Sequence, residues 1–117
     1  MRNRIAAVLA AVLMLLGIPP FVAAAKAAPE FRALLFTKTA GYRHDSIPNG
    51  VAMFQQLAAA NNFEVVHTED SAVFNDADLA GYDVVIMFQT SGMVWENDAQ
   101  RAAMQTYVRD EIGRAHV

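Results

Sequence analysis

The chain has 117 residues, room for one small domain, and no cysteine, which excludes disulfides, a thiol nucleophile and a thiolate metal site within it. The formal net charge of −3 is unevenly spread: from Ala28 onward six Lys/Arg face twelve Asp/Glu, near −6. An acidic body of that kind argues against nucleic acid and against an anionic membrane surface as partners, and its plain consequence is solubility.

Met1–Ala27 has the form of a secretory leader. Arg2 and Arg4 give the positive start, Ile5–Ile18 is almost wholly apolar, and Pro19-Pro20 ends the run. Ala23-Ala24-Ala25 and Ala25-Lys26-Ala27 are the cleavage options. The apolar run of about 14 residues falls short of the ~20 that a spanning helix needs. The expectation is an exported, secreted or periplasmic protein with no membrane attachment after cleavage. The leader also inflates the 55% hydrophobic fraction.

Ala33–Thr37 reads as the first strand, short and apolar. A polar loop follows, and Ser46 or Asp45 is placed to cap a helix with Pro48 in its first turn. Ile47, Val51, Phe54, Leu57 and Ala58 recur at helical spacing and predict its buried stripe. Asn61-Asn62 suits a left-handed C-cap. Phe63–His67 is the second strand, Asn75–Ala80 a short capped helix ended by Gly81, and Asp83–Phe88 the third strand. That third strand is apolar on both faces, as a central parallel strand is. Asn97 or Asp98 caps a last helix to about Arg109, with Ala99, Ala102, Ala103 and Tyr107 as its inner face. The alternation predicts an α/β fold, a flavodoxin-like doubly wound parallel sheet of which three strands are present.

Ligands of such sheets bind beyond the carboxyl ends of the strands, and chemistry-bearing residues collect there. His44, beside Asp45, suits a general base or a metal ligand, and Asp45 is placed to fix its tautomer. Arg43 suits a carboxylate, a phosphate or a sugar hydroxyl. Glu69 and Asp70 leave the second strand at the same edge, where they offer a carboxylate to a metal or a sugar. Thr90, Ser91 and Gly92 leave the third strand there too: Gly92 permits close backbone approach, and Ser91 offers a hydrogen bond to a ligand. Ser91 lacks the Gly-x-Ser-x-Gly elbow of a nucleophile. Thr37–Gly41 lacks the further glycines of a phosphate cradle. Trp95 offers an indole to a sugar ring or to the core. His67 ends the second strand and reads as a packed residue.

Three segments together resemble the trehalose-utilisation (ThuA-like) domain: Gly41-Tyr42-Arg43-His44-Asp45-Ser46-Ile47, then Asn75–Val85, then Thr90-Ser91-Gly92 followed by Asp98-Ala99-Gln100 and Tyr107-Val108-Arg109. The resemblance runs from about Phe31 to Asp110. It implies a fold like that of class I glutamine amidotransferases, without their chemistry, in an exported bacterial protein of sugar metabolism. It makes His44 the catalytic candidate, and Arg43, Asp45, Thr90, Ser91 and Gly92 the residues that bind a small carbohydrate, a sugar or keto-sugar. It names no metal and no cofactor. An enzyme and a non-catalytic carbohydrate-binding or scaffolding domain both remain compatible with these residues. A flavin or phosphate binder is a third reading.

The resemblance stops at Glu111–Val117. Where the family would turn into a further strand and a second His, the chain reads Glu-Ile-Gly-Arg-Ala-His-Val. Ile112–Val117 back-translates to a stretch that matches a common sequencing-library adapter. The expected organisation is therefore a leader over 1–27, the amino-terminal part of the domain over 28–110, and a non-native tail over 111–117, with the true gene continuing.

Overall fold

The computed structural model describes residues 21–115. Most of the expected leader and the last two residues of the expected tail lie outside the described residues. Among those described, no helix is long and apolar enough to cross a membrane.

Arg32–Phe36 forms β1, and Ala33, Leu34, Leu35 and Phe36 are all completely buried. It pairs in parallel on both sides, with β2 (Glu64–Thr68) and with β3 (Val84–Met87), so the order is β2-β1-β3. That order opens a flavodoxin-like sheet. Leu35 lies opposite His67 on one side and Ile86 on the other, which fixes the register. Among the described residues the third strand is not the middle one expected of it: β1 lies in the middle, whereas β3 pairs only with β1 and keeps Val84 39% exposed. Both strands are continuous apolar runs, and only the pairing separates them.

Side chains alternate across β1, and each face is covered by different helices. Leu34 and Phe36 enter a core with Phe74, Leu79, Val94 and Ala103, in which Phe36 meets the Phe74 ring edge-on at 4.8 Å between centroids. This core is supplied by a 3₁₀ turn (Ser71–Val73), by α2 (Asp76–Leu79) and by α3 (Asp98–Ala115). Asn75 caps α2 by accepting from the Asp78 amide at 2.9 Å. Asn97 does the same for α3 through the Gln100 amide. The inner face of α3 carries Gln100, Ala103, Met104 and Tyr107, while Ala99 and Ala102 are exposed. Alanine fits either environment, so its spacing did not mark the face. Gln100 is kept inside by its own bond, its Oε1 accepting from the Glu96 amide at 2.8 Å.

Ala33 and Leu35 face the other way, toward α1 (Ile47–Ala60). Ile47, Gly50 and Ala58 are the buried residues of α1, and Leu57, expected inside, is 44% exposed. Gly50 is the contact that hydrophobic spacing cannot register. A Cβ there would stand 2.2 Å from Cε1 of Phe88, so the missing side chain is what lets that ring lie against the helix. Ser46 takes the N-cap position without a side-chain cap bond, and Pro48 sits in the first turn as expected. Asn62 takes the left-handed conformation (φ 53°) that ends the helix.

Candidate functional site

The site follows from strand parity. Because Ala33 lies opposite Val65 and Leu35 opposite His67, the next odd position, Thr37, comes level with Glu69. Thr37, His67 and Glu69 therefore share the α1 side of the sheet, at its carboxyl edge. Thr37 is completely buried. Its Oγ1 lies 2.7 Å from His67 Nε2 and donates to Glu69 Oε1 at 3.0 Å. The loop from β1 to α1 brings Arg43 to the same oxygen, with Nη1 donating at 2.7 Å. Burial pushes the Glu69 carboxyl up, but the hydrogen bonds from Arg43 and Thr37, with the positive charge of Arg43, outweigh it and hold it below the usual carboxylate range.

The even positions build a second polar group on the α3 side. Lys38 Nζ donates to Ser71 Oγ at 2.8 Å and to Glu96 Oε1 at 2.9 Å. Ser71, itself buried, donates to the Val94 carbonyl. Between the two groups, the exit loop of β3 is fastened to the β1–α1 loop. The Ser91 carbonyl accepts from the Ala40 amide at 2.8 Å and the Gly41 amide at 3.2 Å. Ser91 Oγ donates to the Tyr42 carbonyl at 2.9 Å and meets the Thr39 hydroxyl. Gly92 takes φ +74° against Gly41 and Ala40.

The three expected loops thus meet at one edge, but not every residue does what its position suggested. His44 is exposed, and its ring meets Tyr42 edge-on at 4.9 Å. Among the described residues no hydrogen bond joins it to Asp45, which is exposed beside it. Arg43 and Glu69 are brought together. Asp70 instead caps the 3₁₀ turn, accepting from the Ala72 amide at 2.9 Å. Ser91 spends its hydroxyl on the neighbouring loop. Thr90 stands half-buried beside it. Trp95 packs edge-on to Phe74 with its indole nitrogen buried and unpaired. Thr37 and His67 were missed, and the parity of paired strands was the signal for them. Among the described residues no three His, Asp or Glu side chains are grouped to hold a metal ion.

The family model for ThuA, trehalose utilisation, matches residues 32–117. The chain belongs to the ThuA family. A solved structure similar to this ThuA chain is that of a ThuA-like protein from Bacteroides uniformis ATCC 8492, at 26% identity and a TM-score of 0.57 over 74% of the chain. The ThuA chain spans about a third of that protein, 35% of its length. No curated protein matches it significantly.

Glu69 ties this ThuA site to pH. Its folded-state pKa is lowered, so it contributes stability that is present above the ordinary carboxylate pKa and lost as pH falls through the folded value. Its side chain is 39% exposed, which discounts the effect to about 0.5–1 kcal/mol. Urea midpoints measured from pH 7 down to 3 are expected to fall less in Glu69→Gln than in the parent.

Proposed function

We propose that this chain is the amino-terminal part of an exported ThuA domain that processes a small carbohydrate, a sugar or keto-sugar, at the carboxyl edge of its sheet. The observation that carries the reading is the Arg43–Glu69 pair. The guanidinium is half-exposed and gives one N–H to Glu69, so its other donors remain for a ligand. Both bonds to Glu69 land on Oε1, which leaves Oε2 as an acceptor. Donor and acceptor side by side suit vicinal hydroxyls, each of which both gives and takes a proton. His44 stands exposed on the same loop as the acid/base candidate or ligand contact. Asp45 and the Thr90–Gly92 loop flank it as substrate positioners. The family description supports trehalose as the first probe. The leader form of Met1–Ala27 supports export.

The second reading is a non-catalytic carbohydrate-binding domain of a larger exported protein. Among the described residues no carboxylate is hydrogen-bonded to His44, and this favours it, because a general base is normally oriented by such a partner. Calorimetric titration with trehalose separates the readings from a non-sugar role. Binding is expected in the parent chain, weakened about tenfold or more in Arg43→Ala, the usual cost of a charge-assisted hydrogen bond. Product formation that is lost in His44→Ala supports the enzyme. Binding without turnover supports the second reading, and no binding of trehalose or a keto-sugar rejects both.

A further inference from the structure

The Thr37 hydroxyl is the joint of a four-residue chain whose proton count can be settled. Glu69 is paired with Arg43 at 2.7 Å and is therefore ionised, and an ionised carboxylate only accepts. Thr37 Oγ1, 3.0 Å from Glu69 Oε1, must give its single proton to that oxygen. His67 Nε2 lies 2.7 Å from the same Oγ1, and with the hydroxyl proton already committed, Nε2 has to be the donor. The chain then runs in one sense: His67 Nε2–H to Thr37, Thr37 O–H to Glu69, with Arg43 closing on the far side.

We propose that His67 is a positioning residue, which acts as its Nε2–H form through Thr37 to hold Glu69, and through Glu69 to hold the Arg43 guanidinium ready for a ligand. The proposal rests on the reading of Arg43 as a ligand-positioning group. The physical gain is preorganisation. A long arginine side chain loses rotamer freedom when it grips a ligand, and one that is already fixed has given that freedom up beforehand. Thr37 is suited to the joint because it is completely buried at the end of the central strand, so its hydroxyl has no water to turn to. Its donation is directed by the sheet rather than by solvent. His67, on the neighbouring strand, is held to it by the β1–β2 register that sets Leu35 opposite His67.

The test uses the full chain labelled with nitrogen-15. Long-range proton–nitrogen correlations are expected to show neutral His67 carrying its proton on Nε2, and a proton on Nδ1 instead overturns the proposal without any variant. Thr37→Val keeps the volume and removes the hydroxyl, whereas Thr37→Ser restores it. Resolved Arg43 guanidinium signals are expected in the parent and in Thr37→Ser, and signals averaged by free rotation in Thr37→Val. Trehalose affinity is expected to fall about tenfold in Thr37→Val and to recover in Thr37→Ser. Arg43 signals and affinity unchanged in Thr37→Val defeat the proposal. If trehalose fails to bind the parent chain, the sugar reading falls, and the His67 tautomer and Arg43 signals still decide the positioning role.

Discussion

Phe36→Ala is expected to remove about 3–5 kcal/mol of stability, the range for deleting a buried aromatic ring and leaving its cavity. Phe36 is completely buried at the end of β1, among Leu34, Phe74, Leu79 and Val94, and it loses the edge-on contact with Phe74 as well as its burial. Complete domains hold about 5–15 kcal/mol in total, so a loss of that size is a large share of any such margin. The strand that carries Phe36 is also the one that both neighbours pair with, which leaves little of the sheet to relax independently. Urea denaturation followed by far-ultraviolet circular dichroism measures the loss as a lower midpoint at unchanged slope. Leu57→Ala is the control. Hydrophobic spacing placed Leu57 in the core, but at 44% exposure it is expected to cost less than about 1 kcal/mol. Equal losses at the two positions contradict the packing described for α1.

The contrast between these two residues marks how far the sequence could be read. Element type and order were legible, because β1 and β3 are short apolar runs, β2 has paired valines at its centre, and the first two helices have stop signals in Asn61-Asn62 and Gly81; the last helix, with no such signal, runs past the expected Arg109 to Ala115. Which strand lies in the middle was not. Ala33–Phe36 and Val84–Met87 look alike as runs, and centrality is a property of pairing across some fifty residues of chain. Helix faces were legible only where large side chains mark them. On α3 Ala103 and Tyr107 lie inside as expected and Ala99 and Ala102 do not; Gln100, which the spacing did not mark, completes the inner face, where polar atoms find partners: Gln100 the Glu96 amide, Tyr107 the Tyr82 carbonyl at 3.0 Å. On α1 the decisive residue is Gly50, where the useful feature is an absent side chain.

The site divides in the same way. That the Arg43, Glu69 and Ser91 loops would share one edge follows from parallel pairing alone, and they do. Which side chains meet depends on register to the single residue. Thr37 joins His67 and Glu69, while Lys38, one position on, points to the opposite face and meets Ser71 and Glu96. A shift of one residue would exchange the two groups. His44 drew attention because it stands in a polar loop. His67 did not, because a histidine at a strand end looks like packing until its neighbour across the pair is known.

Gly92→Val is expected to cost about 2–4 kcal/mol and to loosen the loop that carries Arg43 and His44. Two effects add. Gly92 sits at φ +74°, where a β-branched side chain is strained. A Cβ there would also lie 3.2 Å from the Gly41 nitrogen and 3.3 Å from the Ala40 Cβ, so it would press on the strand of backbone that Ser91 holds. The Ala40 and Gly41 amides both donate to the Ser91 carbonyl, and those are the bonds that must lengthen. Gly92→Ala keeps the strained backbone with less bulk and is expected to cost about 1–2 kcal/mol. Hydrogen exchange at Ala40 and Gly41 reads the loosening directly, and both amides are expected to exchange faster in each variant while the amides of β1 keep their protection. Ser91→Ala then separates two roles for the serine. It removes the donor to the Tyr42 carbonyl and is expected to cost about 1 kcal/mol. If Ser91 acts as the clasp between loops, faster exchange at Ala40 and Gly41 accompanies any loss of trehalose affinity. A loss of affinity with exchange unchanged would instead place the hydroxyl on the ligand, and the clasp would have to be credited to the backbone carbonyl alone.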